Sequence, residues 1–132
     1  MLSKVILDAD ICLKLGGSEK YLFLQEVIPL IAEQVYMHSY TYNEVKYPSS
    51  AVSQLRKLVS DGKVQLVSES DLSKNERAVF DMTFNKLGSV MFDPKHTNKN
   101  RGEAYALAYA KVKAFLFLLQ MKWSFNQLLI RS

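Results

Sequence analysis

The spacing of apolar residues changes several times along the chain, and each change marks an element. Val5-Ile6-Leu7, within residues 4 to 8, shows no polar alternation, the pattern of a parallel strand buried on both faces. Ala9 to Leu15 begins a helix that Gly16-Gly17 stop. Ser18 is placed to cap the next helix, with Glu19 in its first turn. Tyr21, Leu22, Leu24, Val27, Ile28, Ile31 and Ala32 continue it at helical spacing through Gln34, with Pro29 as a kink. Val35 to Ser39 predicts a second strand, and Thr41 to Lys46 a brief helix ended by Pro48.

Ser49 or Ser50 can cap a helix to Ser60, whose apolar face is Val52, Leu55, Leu58 and Val59. Asp61-Gly62 is a turn, and Val64 to Val67 predicts a third strand. Asp71 can cap a helix through about Leu87. Residues 93 to 102 form a polar, basic loop, Glu103 opens a helix through Lys113, and Ala114 to Leu119 reads as a strand. Strands alternating with helices imply a parallel, layered α/β domain.

Composition narrows the function classes. A chain of 132 residues with 48% apolar content suits one domain, 1–132, around a single core. The net charge of +4 and sequence pI of about 9.1 favour polyanionic partners. Cys12 is the only cysteine, which excludes a disulfide framework and argues against Cys/His zinc sites. The opening Met-Leu-Ser-Lys run does not make a signal peptide, and no apolar stretch reaches membrane-spanning length. A cytoplasmic setting without a membrane partner is expected.

The candidate chemistry starts at Asp8. A carboxylate at the carboxyl end of a buried parallel strand sits where open α/β sheets place their ligands, and burial calls for a partner such as a cation. Glu44 follows the second strand on a short helix, and Glu103 stands in the first turn of a helix that precedes another strand. Three such carboxylates can hold Mg²⁺ or Mn²⁺, whose bound water can attack a phosphodiester. Each acid also has a plain structural reading. Asp8 can cap the following helix, Glu44 can be a solvated helix charge, and Glu103 gains up to about 1 kcal/mol from the helix dipole without any metal.

The segments Val5-Ile6-Leu7-Asp8-Ala9-Asp10, Ser39-Tyr40-Thr41-Tyr42-Asn43-Glu44-Val45 and Arg101-Gly102-Glu103-Ala104-Tyr105-Ala106-Leu107-Ala108 together resemble the PIN-domain nucleases in order and spacing, over nearly the whole chain. The resemblance implies a three-layer α/β/α sandwich with a central, mostly parallel sheet and a divalent-metal endoribonuclease site of three or four acids. It makes Asp8, Glu44 and Glu103 metal ligands, direct or through water, and Asp10 a lesser neighbour. It also implies an RNA substrate and, as for many relatives, a toxin restrained by a small antitoxin and a homodimer.

The likeness breaks in the C-terminal segment, residues 114–132. PIN domains usually carry a further Asp after the Glu103-type helix, but no acid follows Glu103 here. Gln120-Met121-Lys122-Trp123 is encoded CAR ATG AAR TGG, which read one base earlier contains Asp or Asn, then Glu. A single-base slip near Lys113 therefore accounts for the missing pattern. As written, the tail leaves three acids and weaker metal binding, since ligand charge sets affinity. The alternative function is a catalytically impaired PIN-fold module that binds nucleic acid or protein. Asp8-Ala9-Asp10 also resembles the opening of haloacid-dehalogenase-like phosphatases, with Asp8 as nucleophile and Asp10 as general acid, but the late acidic pair of that family is missing.

Lys95, His96, Lys99 and Arg101 form a basic cluster before Glu103 that can hold an RNA backbone or lie solvated. Tyr40 and Tyr42 can stack on unpaired bases or pack half-buried. His38 reads as a hydrogen-bonded core histidine, Cys12 as a small buried apolar residue, and the alanines around Tyr105 and Tyr109 as a close-packing helix face.

Overall fold

The computed structural model describes residues 2–91, 100–113 and 116–118. Its first strand, β1 (Leu2–Leu7), is flanked by β2 (Ala32–His38) and β4 (Leu116–Leu118), and β3 (Gln65–Val67) lies beyond β2. All three pairings are parallel, and Val5 stands level with Val35 on one side and Leu116 on the other. Helices α1 (Ala9–Leu15), α2 (Phe23–Ile31), α3 (Ser39–Glu44), α4 (Ser49–Ser60), α5 (Lys74–Met91) and α6 (Arg101–Lys113) complete the described residues.

The unbroken apolar run of β1 is explained by two cores. Val5 and Leu7 enter a cluster with Ile11, Leu24, Ile28 and Leu55, which α1, α2 and α4 bring to one side. Ile6, on the alternate side, joins Phe80, Ala106 and Tyr109 from α5 and α6. A strand with helices over both faces needs apolar side chains at both parities. The arrangement is consistent with three α/β/α layers.

The sequence readings of β1, α1, α3 and α4 lie within two residues of the observed bounds; α5 runs on to Met91, past the Leu87 expected, and the bounds of α2 and the start of α5 differ for local reasons. Ser18 caps no helix. Its Oγ accepts from the amides of Lys20 and Tyr21 in a local turn, and α2 starts at Phe23. Helical spacing suggested that α2 continues to Gln34, but Ala32 already pairs with Leu2 in the sheet, so ladder formation overrides the apolar period after Pro29. Asp71 accepts from the amide of Ser68 and closes a short 3-10 turn, Glu69–Asp71. Helix α5 instead begins after a reciprocal pair in which the Ser73 amide donates to Glu76 Oε1 and the Glu76 amide donates to Ser73 Oγ. Ser50, read as a cap, is buried and donates to the carbonyl of Gly16 at 2.5 Å.

Gly16 is fixed by this packing rather than by its backbone angles. A Cβ there would stand 2.7 Å from Cα and Cβ of Ala51, so the end of α1 rests directly on α4. On the other face, Ala104, Ala106, Ala108 and Ala110 are buried and let α6 approach the sheet and α5 closely, as the alanine spacing suggested. Cys12 is buried in the first cluster.

Phe80 is 2% exposed and its ring lies beside those of His38, Phe84 and Tyr105. Phe80→Ala is expected to lower the unfolding free energy by about 3–5 kcal/mol. Val90→Ala, at a position 84% exposed, should change it by less than about 0.5 kcal/mol. Urea titrations of the two variants check both values.

Candidate functional site

Parallel topology decides which end of the sheet collects the acids. Asp8 follows the last residue of β1, and Asp10 lies in the first turn of α1 just beyond it. α3 follows β2, so its Glu44 lies beyond the same carboxyl edge. α6 precedes β4 and therefore runs back against the strands, which puts its N-terminal turn, with Glu103, at that edge too. The sheet order β3-β2-β1-β4 reverses direction at β1, the place where open α/β sheets form a ligand crevice.

Local side-chain bonds build the two outer arms. Ser39-Tyr40-Thr41-Tyr42-Asn43-Glu44 is a poor helix former, and α3 is stabilised from outside. The Tyr40 amide donates to His38 Nδ1 at 3.0 Å, and Thr41 Oγ1 donates to the Gly102 carbonyl at 2.9 Å. The second bond ties α3 to the first turn of α6. Gly102 completes the joint, because a Cβ there would overlap Oε1 of Glu44. A glycine in a helical first turn is unfavourable by propensity; here it leaves room for the Glu44 carboxylate against the first turn of α6.

Behind this joint lies an aromatic buttress. The His38 ring is 4.7 Å from that of Tyr105, which also meets Tyr40 at 4.7 Å and Phe84 at 4.5 Å. His38 is 2% exposed, with Nε2 bonded to Glu69 Oε1 at 3.2 Å, so it is the bonded core histidine that its strand position suggested. Burial pushes its imidazole below the ordinary range, against the pull of Glu69.

Burial and nearby acids both raise these carboxyls. The Asp8 carboxyl is pushed up to about 7, first by burial and then by Glu103 and Asp10, and the amides of Ala9 and Asp10 offset only part of this. Asp8 occupies the N-cap position of α1, where the amides of Ala9 and Asp10 favour its charged form without making a full capping hydrogen bond. Glu44 and Glu103 are both raised, by burial and then by Asp10. Asp10 thus acts on all three. The sequence signal for it was its spacing, two residues after Asp8 on the same edge. Among the described residues, no three His, Cys, Asp or Glu side chains form a compact metal-holding group. The donor set, hard oxygens on separate elements, matches Mg²⁺ or Mn²⁺.

Of the expected nucleic-acid contacts, Lys95, His96 and Lys99 lie outside the described residues. Arg101 lies with its guanidinium 5.7 Å from the ring centre of Phe84. Tyr42 is half-buried and lines a cavity between α3 and α4. The stretch on which the fourth-acid and reading-frame expectations rest lies outside the described residues, apart from the backbone of β4. No protein-family model matches the chain, and no curated protein matches it. Among the described residues, no helix is long and apolar enough to cross a membrane.

The raised carboxyl of Asp8 gives a signed pH effect. Its folded state binds a proton more tightly than the unfolded chain, so its contribution to stability is complete below pH 3.8 and is lost as pH rises through about 7. In metal-free protein, Asp8→Asn should therefore gain stability relative to the parent as pH rises from about 4 to 8, by up to a few kcal/mol. Melting curves of both proteins in chelator across that range check the sign. A constant difference would show that Asp8 carries no raised proton affinity.

Proposed function

We propose that this chain is a divalent-metal-dependent endoribonuclease of the PIN type. The single observation that carries the reading is the placement of Asp8, Asp10, Glu44 and Glu103 on elements that end at one sheet edge, where each raised carboxyl counts another as a cause. A divalent cation held there would offset the mutual repulsion of these carboxylates, and the same ion, when bound, lowers the pKa of water and neutralises charge on a phosphate. The resemblance of the three segments around these acids to PIN domains supports the same class.

In this reading the residues divide the work by position. Asp8, at 6% exposed, is the anchoring ligand, because its burial makes exchange of a proton for a cation most favourable. Glu44 is exposed and Glu103 half-buried, so they face the substrate side, complete the oxygen set and orient the attacking water. Thr41 and Gly102 are positioning residues that keep the arms of Glu44 and Glu103 together. The nucleophile is water, and no covalent intermediate forms.

The test is cleavage of unstructured RNA with Mg²⁺ or Mn²⁺. Activity should require the metal, stop in chelator, and fall by at least about 100-fold in Asp8→Asn, the scale of losing a metal that supplies the nucleophile. Cleavage that survives the substitution comes from a contaminant and removes the nuclease reading. Gly102→Ala should displace Glu44 and weaken apparent metal affinity by about 10–100-fold without unfolding the chain, as seen for residues that orient ligands. A metal titration of activity alongside a melting curve separates the two effects.

The absence of any acid after Glu103 favours a second reading, a PIN-like module that binds without cleaving. It predicts RNA binding with no metal-dependent cleavage.

A further inference from the structure

The face of α3 turned away from Gly102 borders two adjoining cavities, of about 250 and 320 Å³, against α4. Lys46, Arg56 and Val52 line both. Tyr42 and Asn43 add donors to the first, and Ser49 and Ser53 to the second. Val45, Val52 and Leu55 give the groove an apolar floor. Among the described residues, no acid lines either cavity. Lys57, Arg77 and Lys113 each pair with a carboxylate, whereas among the described residues neither Lys46 nor Arg56 does.

Two cations held together on an acid-free wall repel each other, and a bound anion removes that cost. Glu44 lies in the chain between Asn43 and Val45, both on the groove wall, so the cationic groove directly adjoins the acidic edge. We infer that this groove holds one nucleotide of the RNA strand beside the scissile bond, its phosphate on Lys46 and Arg56 and its ribose or base over Tyr42 and the apolar floor. The inference rests on the ribonuclease reading and adds to it a second contact, separate from the acids. A strand whose scissile phosphate lies at the carboxylates then has its neighbouring phosphate on positive charge. The groove sets the direction in which the strand crosses the site.

The experiment measures anisotropy of a labelled single-stranded oligoribonucleotide, without divalent ions, at several salt concentrations between about 50 and 200 mM, the range in which phosphate contacts are read. Replacing Lys46 and Arg56 together by alanine should weaken binding by about five- to twentyfold. It should also reduce the slope of log K against log salt by about 0.7–1.4, the value for one or two lost contacts to a single strand. Lys46→Arg should retain binding, and Lys86→Ala, an exposed cation on α5, should leave affinity and slope unchanged. Melting temperatures of all variants should match the parent, since both groove cations are exposed. Metal-dependent, Asp8-sensitive cleavage with an unchanged affinity and slope in the double variant would overturn the groove and leave the nuclease standing. A parent protein that neither binds nor cleaves RNA would remove the nuclease reading itself, and the groove inference with it.

Discussion

Repulsion among carboxylates at the carboxyl edge of the sheet is the constraint on which the site depends. Burial already disfavours the charge of Asp8, and Glu103 and Asp10 disfavour it further. A fold stabilised only by its cores gains nothing from this arrangement, since each carboxylate could lie in solvent. In the proposed reading, a cation among the oxygens would offset this repulsion. Stability is therefore conceded at one edge of a sheet that is otherwise apolar on both faces.

The rest of the architecture holds that edge in place. β1 is fixed by parallel neighbours on both sides and by a core on each face, so the backbone at Asp8 has little freedom. α3 has weak intrinsic helicity and is stabilised by His38 at its start and by the bond from Thr41, within it, to Gly102. α6 is positioned from behind by Tyr105 within the ring cluster of His38, Tyr40 and Phe84. The half-buried pair of His38 with Glu69 extends this support to the turn after β3.

Charge is separated across α3. One side contributes Glu44 to the acids, while the other borders a groove with Lys46 and Arg56 on its walls. A short helix can do this because residues one position apart point about 100° apart around its axis. The proposed RNA strand, with regularly spaced phosphates, would place one phosphate at the acids and the next on the groove cations. The modest net charge of +4 conceals this local separation.

The sequence by itself determined the parallel α/β character. Val5-Ile6-Leu7 can be satisfied only by apolar cover on two faces, and the alternation of periods leaves few other arrangements. It also marked Asp8, Glu44 and Glu103, because each stands at the boundary of an element whose direction parallel topology fixes. It misjudged Ser18, Ser50 and Asp71, whose oxygens found closer partners in turns and packing than in helix caps, and the end of α2, where strand pairing outweighed helical spacing. Only the tertiary structure decided what depends on distances between segments far apart in the chain. It brought Asp10 into play against all three other acids, made Gly102 the joint for Glu44, and set Lys46 beside Arg56. Those relations follow from how helices pack across the sheet, and local pattern carries no measure of that distance.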